Sequence, residues 1–256
     1  MTFEPFDITA QIKNKLAQIE FTENAQVIMA VESGSRAGGF ASPDSDYDVR
    51  FIYVRRPEDY IRLNPLRDVI EWQLDDVYDV SGWDLQKALR LTYDSNPSIH
   101  EWCASPIIYK ENRLAEPLRE LAAECFIPKK SLYHYLSMAH HNYRTYLVDD
   151  KVRIKKYFYA LRPVLAARWV ADNGTAPPML FDDLVRVELR PDLLPVVEEL
   201  VRVKKQTSEL GIGPKIPELD AYIREQMDLM QTAADRAENR KNDWNRLEEF
   251  FREAVL

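Results

Sequence analysis

Residues 34–54 read GSRAGGFASPDSDYDVRFIYV. This stretch holds three of the chain's 7 glycines, Gly34, Gly38 and Gly39, and glycine is needed where backbone turns sharply or is closely approached. Its tail, 47–54, is rich in β-branched and aromatic residues and reads as a strand. The apolar run 27–31 just before it reads as a second, mostly buried strand. Between them, 33–45 is rich in Gly, Ser, Pro and Asp and reads as a loop, or a loop with a short helix. Asp46 and Asp48 stand at the entry to the second strand. Side chains alternate along a strand, so the two carboxylates share a face, ~7 Å apart by Cα.

Working outward, Ile8, Ile12, Leu16 and Ile19 mark a helix over 7–20. Pro57 opens a short helix over 57–63. Residues 68–80 read as one or two further strands, and 84–91 as a helix with Asp84 at its cap. After about residue 105, helical patterns dominate: 114–126, 131–148, 152–171, 193–210 and 219 to the end. Asn173-Gly174 closes the third of these as a C-cap. The expected fold is α+β, with a mixed-sheet N-terminal domain over 1–115 and an all-helical domain over 116–256. The 256 residues are 46% hydrophobic and 30% charged, an ordinary globular composition. A net charge of −8 disfavours a nucleic-acid partner held by overall attraction, so any such contact needs a local basic patch. No apolar run approaches the ~20 residues of a membrane helix, so a cytoplasmic protein is expected. Cys103 and Cys125 form neither a disulfide framework nor a metal motif.

Two carboxylates on one face repel each other, and a divalent cation relieves the repulsion. Mg²⁺ takes few carboxylates and completes its shell with substrate phosphates. Gly34-Ser35, directly after a strand, offers exposed backbone N–H groups and a hydroxyl to a phosphate, and Arg36 adds positive charge. The order strand, Gly-Ser, ten-residue loop, Asp-x-Asp, strand resembles the DNA polymerase β-like nucleotidyltransferase superfamily. The 34–54 string resembles one branch of it, the predicted nucleotidyltransferases of the RlaP type. DVSGWDLQKALRL, NPSIHEWCASPIIY and KKYFYALRPVLAARW are similar to that family's later motifs, so the likeness spans about 25–170. It implies a palm-like sheet, Mg²⁺ or Mn²⁺, an NTP substrate, and a third carboxylate on a strand beside the Asp-x-Asp strand. Asp79 is the first candidate for that carboxylate, with Asp75 and Asp76 behind it.

From Lys151 to Ala171 there are six basic residues and no acidic one. On a helix, Lys151, Lys155, Tyr159 and Arg162 share a side, beside a stripe of Ile154, Phe158, Leu161 and Leu165. Pro163 threatens to kink it. Lys155, Tyr159 and Arg162 are the candidate nucleotide contacts, with a solvated packing face as the plain alternative; Lys151, Arg153 and Lys156 complete a patch that could meet RNA. His134, His140 and His141 lack metal-ligand spacing and read as surface residues. Glu101-Trp102 matches a family motif without an evident role. Trp244, Leu247, Phe250, Phe251 and Ala254 form an amphipathic face expected to pack on the helical half, with a dimer contact as the second reading. The expected activity is metal-dependent transfer of an NMP from an NTP to an acceptor hydroxyl, with RNA suggested by the resemblance. A protein or small-molecule acceptor is the alternative, and a non-catalytic nucleotide-binding module of a toxin–antitoxin or phage-defence system is the alternative of another class.

Overall fold

The computed structural model describes residues 8–74, 77–153, 155–206 and 211–256. Asp75, Asp76 and Ile154 lie outside the described residues. The first half runs α1 (Ile8–Glu23), β1 (Ala25–Glu32), α2 (Gly34–Ala37), β2 (Tyr47–Arg55), α3 (Pro57–Tyr60), β3 (Val69–Leu74), β4 (Tyr78–Asp84), α4 (Leu85–Tyr93), α5 (Pro97–Cys103) and β5 (Ile108–Glu111). These strands form one five-stranded sheet in the order β3-β4-β2-β1-β5. Only β2 and β4 are parallel; the other neighbours are antiparallel, so the sheet is mixed. Asp84 caps α4 by accepting from the Gln86 N–H at 2.8 Å, the role its position predicts.

The second half is α6 (Ala115–Glu124), α7 (Pro128–Tyr146), β6 (Lys151–Arg153), α8 (Lys156–Asn173), α9 (Phe181–Glu188), α10 (Leu194–Gln206), β7 (Ile212–Pro214), α11 (Pro217–Arg236) and α12 (Trp244–Val255). The chain is α+β, and among the described residues no helix is long and apolar enough to cross a membrane. Gly174 ends α8 in the left-handed region at φ 67°, as its Asn-Gly signature predicts. Pro163 sits inside α8, which continues through it.

Three expectations are corrected. The helix over 152–171 starts only at Lys156. Lys151–Arg153 is instead a strand paired antiparallel with Ile212–Pro214, so ladder bonds claim a backbone that helical spacing had assigned to α8. Lys151 therefore shares no helix face with Tyr159 and Arg162. The helix from 219 to the end is two helices, α11 and α12. Third, α12 packs mainly on the first half and meets the helical half there only through α6: Leu247 and Phe250 join Ile28, Leu85 and Leu89, with Leu118 of α6, in the core on one face of the sheet. A second core, around Leu16, Val27, Phe51 and Tyr53, covers the other face. The third core holds α7, α8, α9 and α11 together and takes in Phe40 from the loop after α2. Phe40 stacks on Phe158 at 5.5 Å and meets Phe181 edge-on. Aromatic packing thus fastens the glycine-rich loop to the helices across from it.

Candidate active site

A cleft of about 450 Å³ opens where the glycine-rich loop faces α7 and α8. Ser33, Gly34, Ser35, Asp46 and Asp48 line its sheet side. Gly34 adopts φ +57°, and a Cβ built on it would stand 1.9 Å from Asp48 Oδ2. Only glycine allows both the left-handed turn and this approach, so Gly34-Ser35 and Asp48 form one packed unit. Backbone bonds fix its register: the Ser33 N–H donates to the Asp48 carbonyl at 2.8 Å. In return the Asp48 N–H donates to Glu32 Oε1 at 2.8 Å.

β2 and β4 run in parallel register with Asp48 opposite Asp79. Arg50 lies between them: its Nη2 donates to Asp48 Oδ1 at 3.1 Å and to Asp79 Oδ2 at 2.6 Å, while Nη1 donates to the Asp79 carbonyl at 2.8 Å. The structure therefore brings Asp79 beside Asp48, with a guanidinium holding the two. Burial pushes the Asp48 carboxyl above its ordinary range; Arg50 opposes that shift, and the charges of Asp46 and Asp79 add to it. Behind them Glu32 is fully buried. Its carboxyl is pushed up to about 7 by burial, against the hydrogen bonds from Tyr109 and the Asp48 backbone.

Ser35 Oγ donates to Ser45 Oγ at 3.1 Å, and Ser45 Oγ also accepts from the Ser42 N–H at 3.0 Å, a serine cluster that closes the loop. Arg36 turns to the same loop. Its guanidinium donates to the Ser45 and Asp46 carbonyls and lies 3.7 Å above the Tyr47 ring. Its charge is thus spent on shaping the segment that presents Asp46.

The opposite wall comes from α5, α7 and α8, with Met179. Glu101 Oε1 accepts from Arg162 Nη1 at 2.9 Å and from the Tyr135 hydroxyl at 3.2 Å. Both side chains of the ion pair are mostly buried, 13% exposed for Arg162 and 19% for Glu101. This gives the unassigned Glu101-Trp102 motif two jobs. Trp102 stacks on Trp83 at 3.8 Å in the sheet core, and Glu101 ties Arg162 into the cleft wall. Tyr159, 42% exposed, lines the cleft. Burial and the charges of Asp46 and Asp48 push its phenol pKa up, which places it in their field. Lys155 precedes α8 as its N-cap residue and lies outside the cleft lining. Its charge helps burial depress the ammonium of Lys204 to about 8; Lys204 sits 4.3 Å over the Phe40 ring and 5.2 Å over Phe158.

Of the residues singled out in the sequence, the cleft gathers Gly34, Ser35, Asp46, Asp48, Tyr159 and Arg162. Asp79 adjoins it through Arg50, and Arg36 and Lys155 flank it. Glu32, Arg50 and Lys204 were missed. Arg50 stands two positions after Asp48 on the same strand, so period-2 alternation was a usable signal. Glu32 ends an otherwise apolar strand, and Lys204 had no local signal.

Among the described residues, no three His, Cys, Asp or Glu side chains converge as a ready cage for a cation. The donor set fits instead a cation that brings its own ligands: two carboxylates and a hydroxyl on one cleft wall, beside a glycine turn packed against Asp48. That is the way Mg²⁺ binds with substrate phosphates.

Residues 8–253 match the family described as RNA repair pathway DNA polymerase beta family, RlaP. The Bacillus subtilis (strain 168) protein YcgL, described as uncharacterized, is 43% identical over 235 residues, covering 91% of this chain and 90% of that protein. A crystal structure of a nucleotidyltransferase-like protein from Exiguobacterium sibiricum 255-15 aligns with a TM-score of 0.31 at 15% identity, over 88% of this chain and 74% of the other.

Proposed function

This chain belongs to the RNA repair pathway DNA polymerase beta family, and on that footing we propose that it transfers a nucleoside monophosphate from an NTP to an acceptor hydroxyl. The hydroxyl oxygen attacks the α-phosphorus, the bond from that phosphorus to the bridging oxygen breaks, and pyrophosphate leaves. The observation that carries this reading is the Gly34–Asp48 contact, in which the turn suited to phosphates and the carboxylate suited to a cation are built against each other.

Asp46 and Asp48 would hold divalent cations, Mg²⁺ or Mn²⁺. Such cations supply charge neutralisation on the phosphates and a more acidic attacking hydroxyl. The Gly34-Ser35 turn would receive the outer phosphates through its backbone N–H groups and the Ser35 hydroxyl. Asp79 is the third carboxylate in this reading, and Arg50 donates to both it and Asp48. Arg162, fixed by Glu101, offers guanidinium donors on the far wall, Tyr159 adds a nucleotide contact there with Lys155 at the cleft's flank, and Arg36 holds Asp46 in place. The family's description supports RNA as the acceptor class. A protein or small-molecule hydroxyl would show itself as NTP-dependent pyrophosphate release that RNA leaves unchanged.

The test is pyrophosphate release from each NTP with Mg²⁺, with and without RNA, for the wild type and for Asp46→Asn and Asp48→Asn. Both variants should lose turnover. Asp46→Asn should melt no lower than the wild type, because one of two repelling charges is gone. If either variant keeps more than about a tenth of wild-type activity, a loss below ~1.4 kcal/mol in the transition state, the carboxylates are not the cation site.

A further inference from the structure

The cleft is chemically divided. Its sheet wall is polar and acidic, whereas Met138 and Tyr146 of α7 and Phe158 and Tyr159 of α8 give the helical wall an apolar, aromatic character. Met138, Asn142 and Tyr146 are spaced i, i+4, i+8, which puts them on one helix face. Tyr159 is a partly exposed aromatic on a helix whose neighbouring positions 157, 158, 160 and 161 are buried. The Tyr146 and Tyr159 rings lie 6.5 Å apart, tilted by 53°. The Lys156 ammonium sits 4.0 Å from one centroid and 4.3 Å from the other, so a cation already covers part of the pair. The Asn142 Nδ2 donates to the Tyr159 carbonyl at 2.8 Å, which pins the backbone of Tyr159 to α7 and fixes where its ring stands.

Building on the nucleotidyl-transfer reading, we infer that the Tyr146–Tyr159 pair is a stacking platform for a nucleobase. A nucleotide is divided in the same sense as the cleft, with an anionic phosphate end and a flat, weakly polar base. Phosphates drawn to the sheet wall leave the base on the aromatic one. Stacking on an aromatic face tolerates every base, so the platform supplies affinity with little discrimination among bases. Tyr146 and Tyr159 line the same cleft of about 450 Å³ as Asp46 and Asp48, so one ligand can meet both walls. The base could belong to the NTP or to the terminal nucleoside of an RNA acceptor.

The experiment measures binding, without turnover, by calorimetry in Mg²⁺. Three probes are used: a non-hydrolysable α,β-methylene NTP, inorganic tripolyphosphate, and a short single-stranded oligoribonucleotide. Tyr159→Ala should weaken the NTP analogue about tenfold and leave tripolyphosphate within about twofold. Tyr159→Phe, which keeps the ring, should bind like the wild type, and Tyr146→Ala should repeat the selective loss on a smaller scale. Loss confined to the oligoribonucleotide would also support the platform and assign the base to the acceptor. Equal loss for the NTP analogue and tripolyphosphate, or no loss for any probe, overturns the platform while nucleotidyl transfer stands. A wild type that binds neither the NTP analogue nor tripolyphosphate removes both readings.

Discussion

The two walls of the cleft are built in opposite ways. The sheet wall is local: Glu32, Gly34, Asp46, Asp48 and Arg50 come from one turn and its two flanking strands, and each is held by backbone register or a direct contact. The helical wall is assembled from distant chain, with Glu101 and Arg162 meeting across 61 positions and Tyr146 meeting Tyr159 through helix packing. A local wall is fixed to fractions of an ångström by its own backbone, as placing a reacting phosphorus requires. An assembled wall depends on the packing of α5, α7 and α8, and suits the less exacting task of holding and orienting.

The comparison breaks most easily at Gly34. Gly34→Ala adds a Cβ 1.9 Å from Asp48 Oδ2 at a positive φ, so Asp48 must move or the turn must open. Strain of this kind costs about 1–3 kcal/mol, and a misplacement near 1 Å at a reacting centre costs about a hundredfold in rate. Activity should therefore fall about a hundredfold with only a modest drop in melting temperature. If activity persists with the melting temperature lowered, the turn is structural alone.

The ion pair inside the helical wall is the next target. Glu101→Gln leaves the mostly buried Arg162 without its countercharge. Removing one partner of such a pair costs about 3–5 kcal/mol, and some exposure of both side chains puts the expected loss near 3 kcal/mol by denaturant titration. The double variant Glu101→Gln/Arg162→Met should recover much of it, since no buried charge is then stranded. Failure to recover would mean that Glu101 stabilises mainly through Tyr135.

Within the sheet wall, Glu32 makes stability depend on pH. Its carboxyl titrates near 7 in the folded chain against an ordinary value of 4.5, so the folded state holds a proton that the unfolded state has released. Stability from this group is full below about pH 4.5 and is lost as pH rises through 7. Glu32→Gln mimics the neutral acid: its amide oxygen accepts from Asp48 and its amide nitrogen donates to Tyr109. The variant should melt like the wild type at pH 5 and be more stable at pH 8 by on the order of 2 kcal/mol. Equal stability at both pH values would place the Glu32 carboxyl near its ordinary range.

This contrast also governs what could be read from sequence. The sheet wall was legible because its parts are close in sequence and obey a period-2 rule, so Gly34, Asp46 and Asp48 stood out, and Asp79 followed from the resemblance. Arg50 obeyed the same rule but was overlooked, because a basic residue in a strand suggests solvent rather than two carboxylates. The helical wall was legible only as composition. The basic run was visible, yet its division into a strand at Lys151–Arg153 and a helix from Lys156 depends on β7, some sixty residues later. Lys204 could not be found at all, since only the tertiary fold sets it over Phe40 and Phe158. Likewise the amphipathic face of α12 states that it is buried but not against what, and it meets the sheet core and α4 as well as α6.

The smallest expected effect concerns the basic residues at the start of α8, and it sharpens what the helical wall does. The charge of Lys155 reaches Lys204, whereas Lys156 lies on the tyrosine pair of the cleft, so the two differ in what their charge meets. If that charge serves the triphosphate, Lys155→Ala/Lys156→Ala raises KM for NTP a few-fold and leaves RNA affinity and its salt dependence unchanged. If it serves the acceptor, RNA binding weakens across sequences and the slope of log affinity against log salt flattens by about 1 for each lost phosphate contact. A solvated face predicts neither, only a stability change within about 0.5 kcal/mol. The triphosphate outcome is the expected one: a chain of net charge −8 repels a long polyanion from most directions, while a compact nucleotide with its cation meets only the cleft. A flattened salt slope with KM unmoved would reverse that assignment and turn the helical wall toward RNA.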